Sequence, residues 1–266
     1  MGAELSLARE CVDIVRESGA IIRAHWAEDR QVRRKGRVDL VTETDLAVEA
    51  FLKEKLAALL PSAAFLAEES SLTTATPDGV SWIIDPVDGT TNFVHRIPQV
   101  GTSVGLWRNG RVDIGVVNIP MLDECFWAVR GEGAFCNGRR IAVSSTDCLT
   151  DALVATGFPY DVELHLTEIL AGLSAVLPAS QGLRRIGAAS VDLAYVACGR
   201  LDAFYEAHLK PWDIAGGWLL VEEAGGQVSD TGNQPLRFGA PLLATNGRLH
   251  AAMSDLLKSR FRESAR

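Results

Sequence analysis

The segment of this sequence that most strongly suggests chemistry is a pair of closely spaced aspartates with a glycine and two threonines behind them. An apolar run leads into Asp85, and Asp88 follows three positions later in the string DPVDGTTNF. Because proline has no N–H, we expect Pro86 to end a strand and a turn to follow. Such a turn directs both carboxylates and the Val87 carbonyl to one point, and these oxygens suit Mg²⁺. The glycine and threonines would then open a helix whose free N–H groups bind phosphate. A capped Asp-Gly turn is the alternative.

Two further acidic segments can complete such a site. Glu68 and Glu69 follow an apolar strand, at the end where α/β proteins tend to form their sites, although a solvated edge is the alternative. Asp213 lies in the first turn of an otherwise apolar helix, where a favourable charge at the helix dipole is the alternative. Two carboxylates about 4 Å apart repel by roughly 4 kcal/mol at an effective dielectric near 20. Acids that meet therefore need protons or cations between them, and at neutral pH we expect cations.

The elements that position these acids fall into two patterns. For residues 1–145 we predict an α+β half that binds the metal. Its helices are expected at residues 3–26 and from Thr42 or Thr44 to residue 59, and a basic loop at residues 30–37 joins them. Strands are predicted at residues 64–67, 82–85, 102–107, 112–119 and 125–129. The two Asn-Gly pairs, at 109–110 and 137–138, indicate hairpins, so residues 100–143 should form an antiparallel meander.

For residues 146–266 we predict an α/β half in which strands and helices alternate. The helices are expected at residues 162–176, 190–197, 214–224 and 248–257, and the strands at 153–155, 203–205 and 242–244. No Pro/Gly/Ser-rich linker separates the halves, so we expect them to pack tightly as one unit.

The composition narrows the class of protein and its location. The 266 residues are 47% hydrophobic and 23% charged, which is typical of a globular chain. A formal net charge of −8 disfavours nucleic acid and anionic membranes as partners. The chain has no apolar run of the roughly 18–20 residues that a membrane span needs, and its start does not resemble a signal peptide. Five scattered cysteines favour reduced, mostly buried thiols, so we expect a cytoplasmic protein. The five histidines lie far apart in sequence, and we predict no zinc site.

Taken together, the acidic segments resemble the inositol monophosphatase family. That family combines a glutamate pair, D-P-x-D-G-T-x-N-F and, about 125 residues later, W-D-x-A-G-[GA], and all three are present here. Residues 38–45 and 199–206 also match, so the resemblance extends from about residue 5 to residue 257. It implies a layered αβαβα sandwich of the inositol monophosphatase and fructose-1,6-bisphosphatase type. It also implies Mg²⁺-dependent hydrolysis of a small phosphate monoester.

The resemblance assigns a role to each acid. Two to three Mg²⁺ ions would be held by the metal set Glu68, Asp85, Val87 (through its carbonyl), Asp88 and Asp213. Asp85 would bridge the first two ions, and Glu68 with waters would hold a weaker third. Thr90 and Asp45, with Glu68 as the third catalytic residue, would orient and help to deprotonate a metal-bound water that attacks phosphorus in line. The N–H groups of Gly89 and Thr90 would bind the phosphate. By its residue type alone, Asp45 is a helix N-terminal charge.

The resemblance also indicates the substrate. Asp88, the backbone of Gly187, Ala188 and Ala189, and Glu206 would contact hydroxyls of the leaving alcohol, although Glu206 as a surface acid is the alternative. Myo-inositol monophosphate or a similar polyol phosphate is the expected substrate. Histidinol phosphate, fructose 1,6-bisphosphate and 3′-phosphoadenosine nucleotides are alternatives on the same metal core. A regulatory binding protein with incidental catalysis is the alternative of another class. Lithium sensitivity and a homodimer also follow from the resemblance.

Overall fold

Helices and sheets alternate through five layers in the structure, a computed structural model that describes residues 2–27, 32–34, 40–72 and 74–261. The helices are α1 (Gly2–Trp26), α2 (Glu43–Leu59), α3 (Thr90–His95), α4 (Val162–Val176), α5 (Ala189–Ala197), α6 (Pro211–Glu223) and α7 (His250–Leu257). The strands of the first half are β1 (Val32–Arg34), β2 (Leu40–Thr42), β3 (Ala64–Ala67), β4 (Ser81–Asp88), β5 (Gly101–Arg108), β6 (Arg111–Ile119), β7 (Glu124–Val129), β8 (Gly133–Cys136) and β9 (Arg139–Arg140). Those of the second half are β10 (Leu153–Thr156), β11 (Gly182–Arg184), β12 (Ala203–Glu206), β13 (Gln227–Asp230) and β14 (Leu242–Thr245).

Three buried hydrophobic clusters hold the layers together. Helices α1 and α2 cover one face of a seven-stranded sheet, and α5 and α6 pack between that sheet and a five-stranded one. Helices α4 and α7 cover the outer face of the five-stranded sheet. The order is therefore αβαβα, which confirms the predicted fold class. Burial of apolar area on both faces of each sheet is the main stabilising contribution.

The seven-stranded sheet has the order β3-β4-β5-β6-β7-β8-β9. Strands β3 and β4 pair in parallel, and every later neighbour pairs antiparallel, which confirms the predicted meander. Both Asn-Gly turns have positive φ at their two central residues, the backbone that tight hairpins need.

The five-stranded sheet has the order β11-β10-β12-β14-β13, with β10 parallel to both of its neighbours. The sequence pattern did not predict β11 and β13. Both are short edge strands, and neither carries the apolar alternation that would mark a strand in the sequence.

Proline 86 does not end its strand, contrary to our expectation. Strand β4 continues to Asp88, and its register with β5 shifts between Asp85 and Asp88. A bulge at this point removes the need for a ladder N–H at Pro86, whose carbonyl still accepts a 2.9 Å hydrogen bond from the Thr102 hydroxyl. The predicted start of α6 was also wrong, because Pro211 occupies the first turn, where proline is favoured.

Part of the predicted basic loop is a strand. Strands β1 and β2 pair antiparallel, while residues 28–31 and 35–39 lie outside the described residues. None of the described helices is both long and apolar enough to cross a bilayer. Cys11 and Cys125 are buried free thiols, but the other three cysteines are partly or fully exposed.

We propose that residues 1–145 and 146–266 are two units packed as one body. The strands of the large sheet all lie in the first range and those of the five-stranded sheet in the second. The central cluster, which includes Phe126 from one side and Phe204 from the other, contains residues of both ranges.

Candidate metal centre and active site

Asp85 lies at the centre of a cluster of acids contributed by three parts of the fold. It is 1% exposed, and its carboxyl group is hydrogen-bonded to that of Glu68. Burial raises the pKa of Asp85 well above its usual value, and the nearby charges of Glu68, Asp88 and Asp213 raise it further. The fold therefore brings together the four predicted carboxylate ligands.

The bulge in β4 supplies the fifth predicted oxygen. The Val87 N–H donates to Asp85 Oδ1 at 3.1 Å, which fixes the turn between the two aspartates. The Val87 carbonyl accepts the Thr90 hydroxyl at 3.0 Å. This carbonyl therefore lies next to Thr90, as the expected arrangement of ligand and catalytic residue requires.

Asp88 connects the large sheet to the first turn of α5. Its Oδ2 accepts the backbone N–H of Ser190 at 2.7 Å and the Ser190 hydroxyl at 2.5 Å. Burial raises the pKa of Asp88, while the bonds from Ser190 and the backbone of Ala189 and Val191 oppose that rise. Helix N–H groups thus stabilise the charged form of this carboxylate. The sequence pattern predicted the neighbouring Ala189 as a substrate-binding residue but missed Ser190.

Asp213 reaches the cluster because α6 packs very closely on the large sheet. A β-carbon at Gly216 would lie 2.7 Å from the Val116 carbonyl oxygen, so only glycine permits this approach. At the start of α6, Asp213 Oδ2 accepts the backbone N–H of the capping residue Lys210 at 2.6 Å. Burial raises the pKa of Asp213 to about 8. Asp213 therefore caps α6, and its place in the acid cluster is compatible with the predicted ligand role.

A hydrogen-bonded pair lies beside the acids. Thr90 Oγ1 donates to Asp45 Oδ1 at 3.2 Å. Asp45 is fully buried, and its other oxygen accepts the N–H of Thr42 at 2.8 Å and its hydroxyl at 2.5 Å. This is the capping box of α2, with Thr42 rather than Thr44 as the cap. Burial raises the pKa of Asp45, and the bonds from Thr42 and Thr90 oppose that rise.

The first turn of α3 packs against the loop before α5. Gly89 has φ +85°, a left-handed conformation that favours glycine. A β-carbon there would lie 3.1 Å from the Ala188 β-carbon and 3.3 Å from the Gly187 carbonyl oxygen. The fold therefore brings Gly89 together with Gly187 and Ala188, two of the residues predicted to bind substrate.

Glu206 lies at the end of β12 and is 9% exposed, so it is not a surface acid. Burial raises its pKa to about 8, Arg185 opposes the rise, and Asp88 adds to it. Its carboxyl group lies over the backbone of Gly157, and a β-carbon at Gly157 would lie 1.9 Å from Glu206 Oε2. Asp192, which the sequence pattern missed, is buried nearby, and burial with the charges of Glu206 and Asp88 raises its pKa well above the usual value.

These residues fit the divalent ion that the resemblance implies. In the part of the chain that the structure describes, the charged neighbours with the largest effect on Asp85 are acids, so without cations these acids would have to share protons. Its donor atoms are carboxylate oxygens and a backbone carbonyl, the ligands of a hard cation such as Mg²⁺. Thiol and imidazole groups are not among the predicted ligands, which argues against a softer metal at this position.

The profile of the inositol monophosphatase family matches residues 6–265, nearly the whole chain. The chain belongs to the inositol monophosphatase family. Membership implies a metal-dependent phosphatase. The family member named inositol-1-monophosphatase from Rhizobium meliloti (strain 1021) is 38% identical over 260 residues, which cover 96% of this chain and 97% of the relative. A relative from Escherichia coli (strain K12) named Nus factor SuhB is 39% identical over 245 residues, covering 91% and 92%.

Solved structures of the inositol monophosphatase family share the fold. The extragenic suppressor protein suhB from Bartonella henselae superposes with a TM-score of 0.89 at 36% identity, covering 95% of this chain and 98% of that one. An IMPase/NADP phosphatase solved with Mg²⁺ and phosphate has a TM-score of 0.85 at 25% identity, with 97% of each chain covered.

Proposed function

We propose that this family member hydrolyses myo-inositol monophosphate to inositol and phosphate with the help of two to three Mg²⁺ ions. The observation that carries the proposal is the meeting of Glu68, Asp88 and Asp213 around buried Asp85, with the Thr90–Asp45 pair beside them. We assign Glu68, Asp85, the Val87 carbonyl, Asp88 and Asp213 as metal ligands. When bound, Mg²⁺ lowers the pKa of water and neutralises phosphate charge.

The chain's own residues position the nucleophile. Thr90 Oγ1 lies within hydrogen-bond distance of both Asp45 and the Val87 carbonyl, so its single proton can be donated to either. Its lone pairs remain able to accept a hydrogen bond from water. Because burial raises the pKa of Asp45, this carboxylate is a better proton acceptor than an exposed one. We propose that Thr90 orients the attacking water and that Asp45 helps to remove its proton, with Glu68 as the third catalytic group.

The phosphate and the alcohol would occupy adjoining parts of the site, because Gly89 packs against Gly187 and Ala188. We place the phosphate against the N–H groups of Gly89 and Thr90 at the start of α3. The hydroxyls of the alcohol would contact Asp88, the backbone of residues 187–189 and Glu206. The buried carboxyl group of Glu206, with the exposed Arg185 acting on it, favours a polyol, because an apolar alcohol would offer that carboxyl group no hydrogen-bond donor.

A metal-replacement assay on a substrate panel tests this proposal. Phosphate release from myo-inositol monophosphate should vanish in EDTA and return with Mg²⁺, and persistence in chelator would refute the metal assignment. Ranking by kcat/KM against histidinol phosphate, fructose 1,6-bisphosphate and 3′-phosphoadenosine nucleotides tests the substrate. A higher kcat/KM for one of these would replace inositol monophosphate while retaining the reaction.

A regulatory role is a second candidate, because the Escherichia coli relative carries the name Nus factor SuhB. Purified chain with Asp88→Asn, which should lack turnover, separates the two functions. A macromolecular partner retained equally by this variant and by wild type would support a role that is independent of catalysis. Loss of every partner at physiological salt would leave the enzyme function alone.

We further propose that the chain acts as a cytoplasmic homodimer that has no nucleic acid or membrane as its ligand. The net charge of −8 supports the last point, since it repels both polyanions. Light scattering coupled to size-exclusion chromatography tests the oligomer, and a mass of about 29 kDa, one chain, would contradict it.

A further inference from the structure

A second group of metal-ligating side chains lies outside the carboxylate cluster. His165 and Glu168 project from α4, and His208 follows β12. Their ligand atoms all lie within 4.8 Å of one another. His208 Nε2 is 3.4 Å from Glu168 Oε2, and His165 Nδ1 is 3.8 Å from the same oxygen. Two histidines that are distant in sequence are thus neighbours in the fold.

The spacing is close to that of a tetrahedral transition-metal site. Bonds of about 2.0–2.1 Å to nitrogen and oxygen place neighbouring ligand atoms roughly 3.3 Å apart around Zn²⁺. His208 Nε2 lies 3.4 Å from Glu168 Oε2, which is close to this value, and His165 Nδ1 lies 3.8 Å from the same oxygen. The two imidazole rings face each other at 3.6 Å with a 32° tilt, so small side-chain rotations are needed to direct both nitrogens to one point.

A fourth residue has the position of an outer-shell partner. Asp161 Oδ2 lies 3.4 Å from Nε2 of His165, the ring nitrogen that faces away from Glu168. Metal-binding histidines usually donate their second N–H to a carboxylate, which sets the tautomer that binds the metal. Asp161 therefore prepares His165 to offer Nδ1 as an acceptor.

The backbone at His208 provides an independent observation. Its φ is +67°, in the left-handed region that a β-carbon disfavours. A residue with a β-carbon that is held in this backbone conformation is a reason to look for a function of its side chain. Here the conformation carries the imidazole of His208 to Glu168 and His165.

The cluster is accessible and lies beside the proposed alcohol site. The side chains of His165, Glu168 and His208 are 19–26% exposed, so an ion can enter from solvent. The three side chains line a cavity to which Gly157 and Glu206 also contribute. An ion bound here would tie α4 to the segment that joins Glu206 to α6.

We propose that His165 Nδ1, Glu168 and His208 Nε2 form a second, separate site for a borderline divalent metal, of which Zn²⁺ is the representative. Two imidazoles and one carboxylate select such an ion, whereas the all-oxygen cluster around Asp85 selects Mg²⁺. The fourth position belongs to water. This site does not depend on the proposed phosphatase function, and its test needs no substrate.

Zinc binding to the full chain in excess Mg²⁺, measured by competition with a chromophoric chelator, tests the proposal. His208→Gly removes one ligand and suits the positive φ, so it should leave the fold intact. His165→Gln removes another ligand. Each variant should bind Zn²⁺ at least about tenfold more weakly than wild type. His95→Ala, which removes an exposed histidine elsewhere, is the matched control and should change the affinity by less than about twofold.

Two further measurements locate the ion. In ¹H–¹⁵N spectra of the wild-type imidazoles, Zn²⁺ should shift the ring nitrogens of His165 and His208 and leave those of His95 unchanged, which requires no variant. Asp85→Asn should retain zinc binding. Equal affinities in wild type, His208→Gly and His165→Gln would overturn the site. Loss of the zinc in Asp85→Asn alone would overturn it too, because the ion would then belong to the carboxylate cluster.

Discussion

Replacing Ser190 by alanine tests how Asp88 is prepared to bind a cation. The Ser190 hydroxyl and backbone N–H both donate to Asp88 Oδ2, at 2.5 and 2.7 Å. A hydrogen bond to a charged group contributes about 1.5–3 kcal/mol. Since the N–H remains in Ser190→Ala, we take the lower end, about 1.5 kcal/mol, which corresponds to about tenfold in an equilibrium constant. The half-saturating Mg²⁺ concentration should therefore rise about tenfold at pH 7.

The direction with pH follows from the same contact. The bonds from Ser190 lower the pKa of Asp88 against the effect of burial, so losing one of them raises that pKa. Protons then compete better with Mg²⁺, and the defect of Ser190→Ala should grow as the pH falls. Initial rates across a Mg²⁺ titration, with calorimetric Mg²⁺ binding beside them, measure the effect. At saturating Mg²⁺ most of kcat should return.

Ser254→Ala is the matched control for this prediction. Its hydroxyl is also buried and donates at 2.9 Å, but to the Thr231 carbonyl under α7. This variant should leave the Mg²⁺ requirement unchanged. A half-saturating concentration in Ser190→Ala within about twofold of wild type, or an equal shift in Ser254→Ala, would refute the reasoning about Asp88.

Four other predictions use different contacts. Asp88→Asn should lower kcat by about two orders of magnitude or more with an unchanged circular dichroism spectrum, and near-normal turnover would remove Asp88 from the site. Thr90→Ala should lower kcat about 100-fold while Thr90→Ser retains most of it, since only the hydroxyl contacts Asp45; equal losses would contradict this role. Burial raises the pKa of Asp213 and of Glu206 to about 8 in the folded protein, whereas both pKa values are near 4 in the unfolded chain. Between pH 4 and pH 8, the folded, metal-free protein therefore binds more protons than the unfolded chain does. Its free energy of unfolding should fall across that window, and Tm in EDTA should be lower at pH 8 than at pH 5 and recover with Mg²⁺; a flat Tm would argue against buried acids. Millimolar lithium should inhibit turnover by replacing one Mg²⁺, and unchanged rates in a lithium titration would weaken the assignment to inositol monophosphate.

The helices and strands were predicted from local patterns, whereas the αβαβα layering and the meeting of the acids were implied by the resemblance to the inositol monophosphatase family. Apolar alternation and the Asn-Gly turns indicate the meander, because each hairpin is decided within a few residues. Strands β11 and β13 were missed because their pairing depends on β10 and β14, which lie far away in the sequence. The extent of β4 was misjudged for a similar reason. Whether Pro86 ends a strand or occupies a bulge is decided by its partner β5.

Contacts between distant segments also account for the site residues that were missed. Ser190 becomes a partner of Asp88 only because α5 begins against the end of β4. Glu206 raises the pKa of Asp192, and Arg185 opposes the rise in the pKa of Glu206, although these residues come from separate segments of the chain. His165 and His208 are far apart in sequence, and they are neighbours only because α4 and the end of β12 meet in space. The spacing of residues shows which side chains one segment can present together. It does not show which distant segments meet in the fold.

The structural and functional interpretations of these aspartates are not alternatives. Asp45, Asp88 and Asp213 each use Oδ2 to accept N–H groups at the start of a helix. That bond fixes the orientation of the carboxylate and stabilises its charge through the helix dipole. Oδ1 of Asp45 contacts Thr90, and we propose that the second oxygen of the other two faces the cations. Asparagine preserves a cap oxygen and removes the charge, whereas alanine removes both. Asp88→Asn therefore separates catalysis from folding, and Asp88→Ala should lose both because the first turn of α5 would then have no acceptor from β4.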